Sequence, residues 1–210
     1  MTDKPGENWD YAERFIPEDE ATERAREAAA ELGCVPVLPG AAAALRVLTA
    51  ALGARSVVEL GTGAGVSTVA LLQGLAADGI VTTIDIEPEH HRAAKQTIAA
   101  AGFGVDRVRF IAGAALDVLP RLADTSYDLV LVDAVKSEYG EYVEHARRLL
   151  RVGGMVVIDN ALWHSRVADP TQRDPDTTAI RETLKGMRAD DGWMCALLNV
   201  GDGLMTAIKR

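Results

Sequence analysis

Five short runs constrain the fold of this chain more than any other feature: Ser56–Leu60, Val81–Asp85, Arg107–Ile111, Leu129–Asp133 and Met155–Asp159. They are rich in valine and isoleucine and show little polar alternation, the pattern of strands covered on both faces. Helical patterns lie between them. Ala70–Ala77 carries apolar residues at helical spacing, Pro88 opens a helix that Gly102 stops, and Glu138–Leu150 closes before Gly153-Gly154. This alternation predicts repeated strand–helix units around a parallel sheet. Two regions depart from it. Upstream are two helical stretches, Tyr11–Leu32 and Gly40–Leu52; downstream, Met194–Leu198 and Leu204–Lys209 flank Val200-Gly201-Asp202-Gly203 and read as an antiparallel hairpin at one edge. The expectation is an α/β fold with a mostly parallel seven-stranded sheet, helices on both faces and a C-terminal antiparallel hairpin. Residues 1–210 form one domain, with 1–52 a helical extension and 53–210 the core.

Composition narrows the partners. A net charge of -9 leaves no basic stripe for a phosphate backbone, so no nucleic-acid partner is expected. No apolar run approaches the roughly 18–20 residues of a membrane span. Met1–Asp10 is polar and lacks the basic-then-apolar order of a signal peptide. The two cysteines, Cys34 and Cys195, match no metal spacing and read as buried free thiols in a reducing cytoplasm.

The run Val57-Val58-Glu59-Leu60 leads into Gly61-Thr62-Gly63-Ala64-Gly65, with a helix expected from near Val66. Glycines there permit positive φ and a close ligand approach, and helix N–H groups face the same crevice. A dinucleotide fingerprint needs its third glycine one place later, where Val66 stands. Glu59, two places before the turn, suits a ligand with a cationic amino group, reached directly or through water. Ser67 can donate to a carboxylate, or simply bond backbone at the helix start. Asp85, ending the second run, can take ribose hydroxyls.

Two further runs end in acids, Asp133 and Asp159, the latter followed by Asn160. Neighbouring strands lie about 4.8 Å apart, so their ends would share a crevice beside the glycine turn. Two carboxylates and an amide oxygen suit Mg²⁺ or Ca²⁺ rather than Zn²⁺. Either acid alone reads as well as a cap for a helix. Lys136 follows Asp133 by three residues, a spacing that puts both on one side of a turn. It can serve as a general base or as an ordinary surface lysine.

Val57–Ser67, Leu129–Lys136 and Gly153–Trp163 together resemble the cation-dependent O-methyltransferases, including the catechol and caffeoyl-CoA enzymes and small bacterial relatives; the resemblance runs from about Val35 to the C-terminus. It implies a Rossmann-like methyltransferase fold, S-adenosylmethionine (SAM) as cofactor, a divalent cation such as Mg²⁺ on Asp133, Asp159 and Asn160, and Lys136 as the base. It also implies cofactor contacts from Val35, Glu59, Gly61, Thr62, Gly63, Ser67, Asp85, Ile86, Ala115 and Asp133, with Leu116 packing on the base. The implied acceptor is a small-molecule hydroxyl, one of two on a catechol-like ring. Val135 departs from the second acid common in bacterial relatives. By analogy with that branch, Trp9, Tyr11 and Phe15 would anchor a homodimer.

Two alternatives stay open at this level. A nicotinamide-dependent oxidoreductase on the same sheet is disfavoured by Val66 and the terminal hairpin. A non-catalytic cofactor-binding module need not keep Asp133, Lys136, Asp159 and Asn160. Trp163, His164 and Arg166 could line an acceptor pocket. His90 and His91 are expected to be exposed and without a metal role. Asp169–Asp176 reads as either a lid or a connector.

Overall fold

The computed structural model describes residues 5–210. Strands β1 (Ser56–Leu60), β2 (Ile80–Asp85), β3 (Val108–Ala112), β4 (Tyr127–Val132), β5 (Leu150–Ile158), β6 (Trp193–Leu198) and β7 (Leu204–Lys209) form one sheet. Its order is β3-β2-β1-β4-β5-β7-β6. The first five strands run parallel, and β7 pairs antiparallel with both β5 and β6. The hairpin therefore enters through its second strand and leaves β6 at the edge.

The residues of each strand divide between two cores, as a period of two requires. Val58, Leu60, Val130, Val132, Val156 and Ile158 pack on one face with α6 (Ala115–Val118), α7 (Tyr139–Leu149) and α8 (Pro175–Ala189). Val57, Leu129, Leu131 and Val157 pack on the other. That second core takes in α2 (Glu20–Leu32), α3 (Pro39–Ala51), α4 (Val66–Gly74) and α5 (Pro88–Ala100).

The upstream helical stretch differs from expectation. It is two helices, α1 (Pro5–Glu13) and α2, separated at Pro17, whose ring disfavours helix at the residue before it. Asp19 caps α2 by accepting from Thr22 N–H at 2.8 Å. Buried Glu13 fastens α1 to distant chain: its carboxylate accepts from Gly40 N–H at 2.8 Å and from Gly201 N–H at 2.6 Å. α4 begins at Val66, where the helix after the turn is expected, so the glycine turn meets a helix start directly.

Among the described residues, no helix is long and apolar enough to cross a membrane. The Asp169–Asp176 segment is a fastened connector rather than a lid. The Arg181 guanidinium donates to the carbonyls of Arg166, Val167, Asp169 and Gln172, and Asp174 caps α8 at Thr177 N–H.

Candidate active site

Backbone pairing continues one residue beyond the strands. Gly61 N–H donates to the Ile84 carbonyl, Gly113 N–H to Asp85, Asp133 N–H to Leu60 and Asp159 N–H to Val132, all at 2.9–3.0 Å. Gly61, Asp85, Asp133 and Asp159 thus stand in a row at the C-terminal edge of the sheet. The row spans the point where strand order reverses between β1 and β4, the expected ligand crevice of such sheets. A cavity of about 570 Å³ opens there. The glycine turn, Ser67, Asp85, Ile86, His90 and Gly113–Ala115 line one part; Asp133–Lys136, Asn160, Trp163 and His164 line another, with Cys34–Val37 also on its wall.

The three glycines of the turn have different duties. A Cβ on Gly61 would lie 2.0 Å from the Asp133 carbonyl oxygen, and one on Gly65 would lie 2.9 Å from the Ala94 backbone. These two, at φ +92° and +91°, let β4 and α5 approach. At Gly63 a Cβ would meet only the Cys34 sulfur, at 3.7 Å, so this is the glycine that leaves room in the cavity. No side chain caps α4 at Gly65. Its first-turn N–H groups stay available to an anion, beside cavity-lining Ser67.

Glu59 does not line the cavity, which corrects the expectation of direct contact with an amino group. Strand alternation turns it beneath α4, where it is fully buried and accepts from the Thr68 hydroxyl at 2.6 Å. Burial pushes its carboxyl up to about 7, against the hydrogen bonds that favour its charge. Its Oε1 has no protein partner.

Asp85 sits at the cavity floor. Its Oδ2 accepts from Thr62 N–H at 2.9 Å and Gly63 N–H at 3.1 Å, and it lies 3.0 Å from His90 Nδ1; Oδ1 accepts from Glu87 N–H at 2.9 Å. Burial opposes the charge, but the Glu87 and Gly63 N–H groups and His90 outweigh it and hold the carboxyl below its usual value. Oδ2 is saturated, so further hydroxyls must come to Oδ1. The expectation that His90 and His91 are exposed is wrong. His90 is drawn in by Asp85 and lines the cavity, while His91 is buried with its ring 5.2 Å from that of Phe110.

At the other end, Lys136 Nζ lies 2.8 Å from Asp133 Oδ1, with both side chains largely buried. The ammonium also lies 5.1 Å from the Tyr139 ring centre and 5.7 Å from that of Trp163. Asp159 is 3% exposed and its Oδ1 has no partner. Burial and then the Asp133 charge raise its carboxyl well above the usual range. Among the described residues, no three His, Cys, Asp or Glu side chains form a metal-type cluster. The available donors are two carboxylates and the Asn160 amide, all oxygen. An orphaned buried carboxylate oxygen beside a second carboxylate is a place where a hard cation would relieve repulsion, so the residues fit such an ion.

Val35 and Ile86 are 84% and 65% exposed, and both line the cavity as apolar surface awaiting cover. Thr62 and Ala115 also line it. Leu116 does not; it packs on the core, contrary to the expected contact with a base. Cys34 and Cys195 are free but only half-buried. Sequence reasoning missed Cys34, Pro36 and His90 as cavity residues, and it missed Asp202, which binds Asn160 and His164 across the hairpin. Only the acidic character of Asp85 pointed to a partner such as His90; nothing local pointed to Asp202.

Comparison with known proteins agrees with this geometry. The sequence model of the O-methyltransferase family matches residues 18–210. A relative from Mycobacteroides abscessus, named only as an O-methyltransferase, is 45% identical over 199 residues, covering 95% of this chain and 93% of its own. The O-methyltransferase TomG from Streptomyces achromogenes, solved with SAM, superposes with a TM-score of 0.86 at 28% identity over 99% of each chain. A Bacillus cereus O-methyltransferase solved with S-adenosylhomocysteine gives 0.85 at 28% identity over 97% of this chain and 99% of its own. The oxidoreductase reading is not favoured. The chain belongs to the O-methyltransferase family and is a SAM-dependent enzyme of the Rossmann-like methyltransferase fold.

Proposed function

We propose that this enzyme methylates one hydroxyl of a catechol-like small molecule with the help of a divalent cation, Mg²⁺ by preference, held by Asp133, Asp159 and Asn160. One observation carries the reading: the Asp133–Lys136 pair shares the cavity with Asn160, and the buried, unpartnered Asp159 carboxylate at the end of the next strand feels the Asp133 charge. Such a cation supplies Lewis-acid stabilisation of the charge that develops on the acceptor oxygen.

The chain's own residues do the rest. Ser67, Gly61–Gly63 and the N–H groups of α4 hold the methionyl carboxylate, Asp85 Oδ1 takes a ribose hydroxyl, and Val35, Ile86 and Ala115 cover apolar parts of the cofactor. Glu59 acts on the amino group only through water. Lys136, in its neutral amine form, accepts the proton of the attacking hydroxyl and becomes the ammonium that pairs with Asp133. The new O–C bond forms as the methyl C–S bond breaks, and the bonding pair leaves on sulfur as a neutral thioether. Holding both reactants in line is the remaining contribution. The exposed ring pair Tyr11–Phe15 supports a homodimer seated on the N-terminal helix.

The test is Asp159→Ala and Asp133→Ala. Each is expected to abolish Mg²⁺-dependent methylation of catechols while SAM affinity in Asp159→Ala stays near wild type. Full activity in either variant would remove that residue from the cation site.

A further inference from the structure

We infer that Asp202, in the turn between β6 and β7, is a positioning residue that orients the Asn160 amide and pins the wall of the acceptor pocket. The inference rests on the cation reading above. Four non-glycine residues after β5 carry positive φ: Asn160 at 54°, Trp163 at 47°, His164 at 54° and Ser165 at 65°. Side-chain-bearing residues seldom hold such backbone unless the surroundings impose it. Here the surroundings are the hairpin turn. The Ala161 N–H donates to the Gly203 carbonyl and the Leu162 N–H to the Asp202 carbonyl, each at 2.9 Å. The Asp202 carboxylate completes the clamp, accepting from His164 N–H at 2.7 Å through Oδ1 and from Asn160 Nδ2 at 3.3 Å through Oδ2. His164 Nδ1 lies 3.5 Å from the same carboxylate.

This contact decides which way the amide faces. A carboxylate can only accept, so it selects the NH₂ side of Asn160. Asn160 lines the cavity and Asp202 does not, so the carbonyl oxygen is left for the cavity. Without Asp202, the amide could turn its NH₂ group toward Asp133 and offer a donor where an acceptor is required. The turn is itself immobilised. Glu13 holds Gly201 N–H at 2.6 Å, and a Cβ on Gly203 would strike Leu162 at 2.5 Å. The carboxylate thus stands on a rigid support, 42 residues along the chain from the amide it orients.

The experiment is direct titration of Mn²⁺, followed by electron paramagnetic resonance, into wild type, Asp202→Ala and Asp202→Asn, with SAM affinity measured alongside. Outer partners of a metal ligand typically carry about 10–100-fold in metal affinity. Asp202→Ala is expected to lose that much. Asp202→Asn, which keeps an acceptor but no charge, should recover roughly half of the loss on a logarithmic scale. SAM affinity should hold in both. If Asp202→Ala also loses SAM, its fold is disturbed and Asp202→Asn against wild type decides the matter: a loss of about three- to tenfold supports the role and no loss overturns it. Equal loss in both variants would mean that charge alone acts and would overturn the positioning role, as would no loss in either. A wild type that binds no Mn²⁺ would overturn the cation reading itself, and this inference with it.

Discussion

The two ends of the cavity are built in different ways. The end proposed for the cofactor centres on one contiguous stretch, β1, the glycine turn and the start of α4; Asp85 with His90 comes from the next unit, and Val35 and Ala115 add apolar lining from other parts of the chain. Its contacts are mostly backbone N–H groups on one carboxylate. The end proposed for the acceptor gathers Asp133–Lys136, Asp159–Asn160, the Trp163–His164 loop and Asp202 from segments up to 69 residues apart, through side chains and an imposed loop conformation. A motif made by one turn tolerates drift elsewhere in the chain. A site assembled from several segments depends on each clamp, and its chemistry can be tuned by changing any of them.

That contrast can be broken by experiment. The largest effect is expected at the acceptor end. Lys136→Met should lower kcat about 10²–10⁴-fold, the usual contribution of a positioned general base, with SAM affinity little changed. Steady-state kinetics with calorimetric SAM titration checks it, and parallel loss of both would join the two ends that the structure separates. At the cofactor end, Gly61→Ala and Gly63→Ala should part company. The first forces a Cβ into the Asp133 carbonyl at positive φ and should cost about 3 kcal/mol or more in denaturant unfolding. The second meets open cavity, should cost about 1 kcal/mol, and should show itself mainly as weaker SAM binding.

Glu59 gives a pH signature. Its carboxyl is held near 7 in the fold against an ordinary 4.5, so the native state keeps a proton that the unfolded chain has lost. Stability therefore falls as pH rises from about 4.5 to about 7, by roughly 3 kcal/mol in all. Glu59→Gln lacks this term. It should match wild type near pH 4 and exceed it by up to that amount at pH 8, read by urea unfolding across the range. Equal curves at both pH values would mean that the buried carboxylate is compensated by a partner outside the protein, such as water.

How much was legible in the sequence follows the same division. The strands could be read because burial on both faces writes unbroken Val- and Ile-rich runs. Asp133 and Asp159 could be paired because each closes such a run, and β4 and β5 are indeed neighbours. The break at Pro17 was available in the sequence but overridden by a helical pattern on both sides. For Glu59 the turn suggests a ligand reached directly or through water, and strand parity, which sends this residue under α4, removes only the direct route. His90 looks exposed on a polar helix start, and only Asp85 brings it in. Asp202 looks like any hairpin acid. Its role exists only because β7 inserts beside β5 and carries the turn to the Asn160 loop.

The most direct measurement is methyl transfer from labelled SAM to a panel of catechols and monophenols, with Mg²⁺ and with a chelator. With the proposed cation in place, transfer to catechols depends on Mg²⁺ and falls to background on chelation. Activity untouched by the chelator would contradict the cation at Asp133, Asp159 and Asn160.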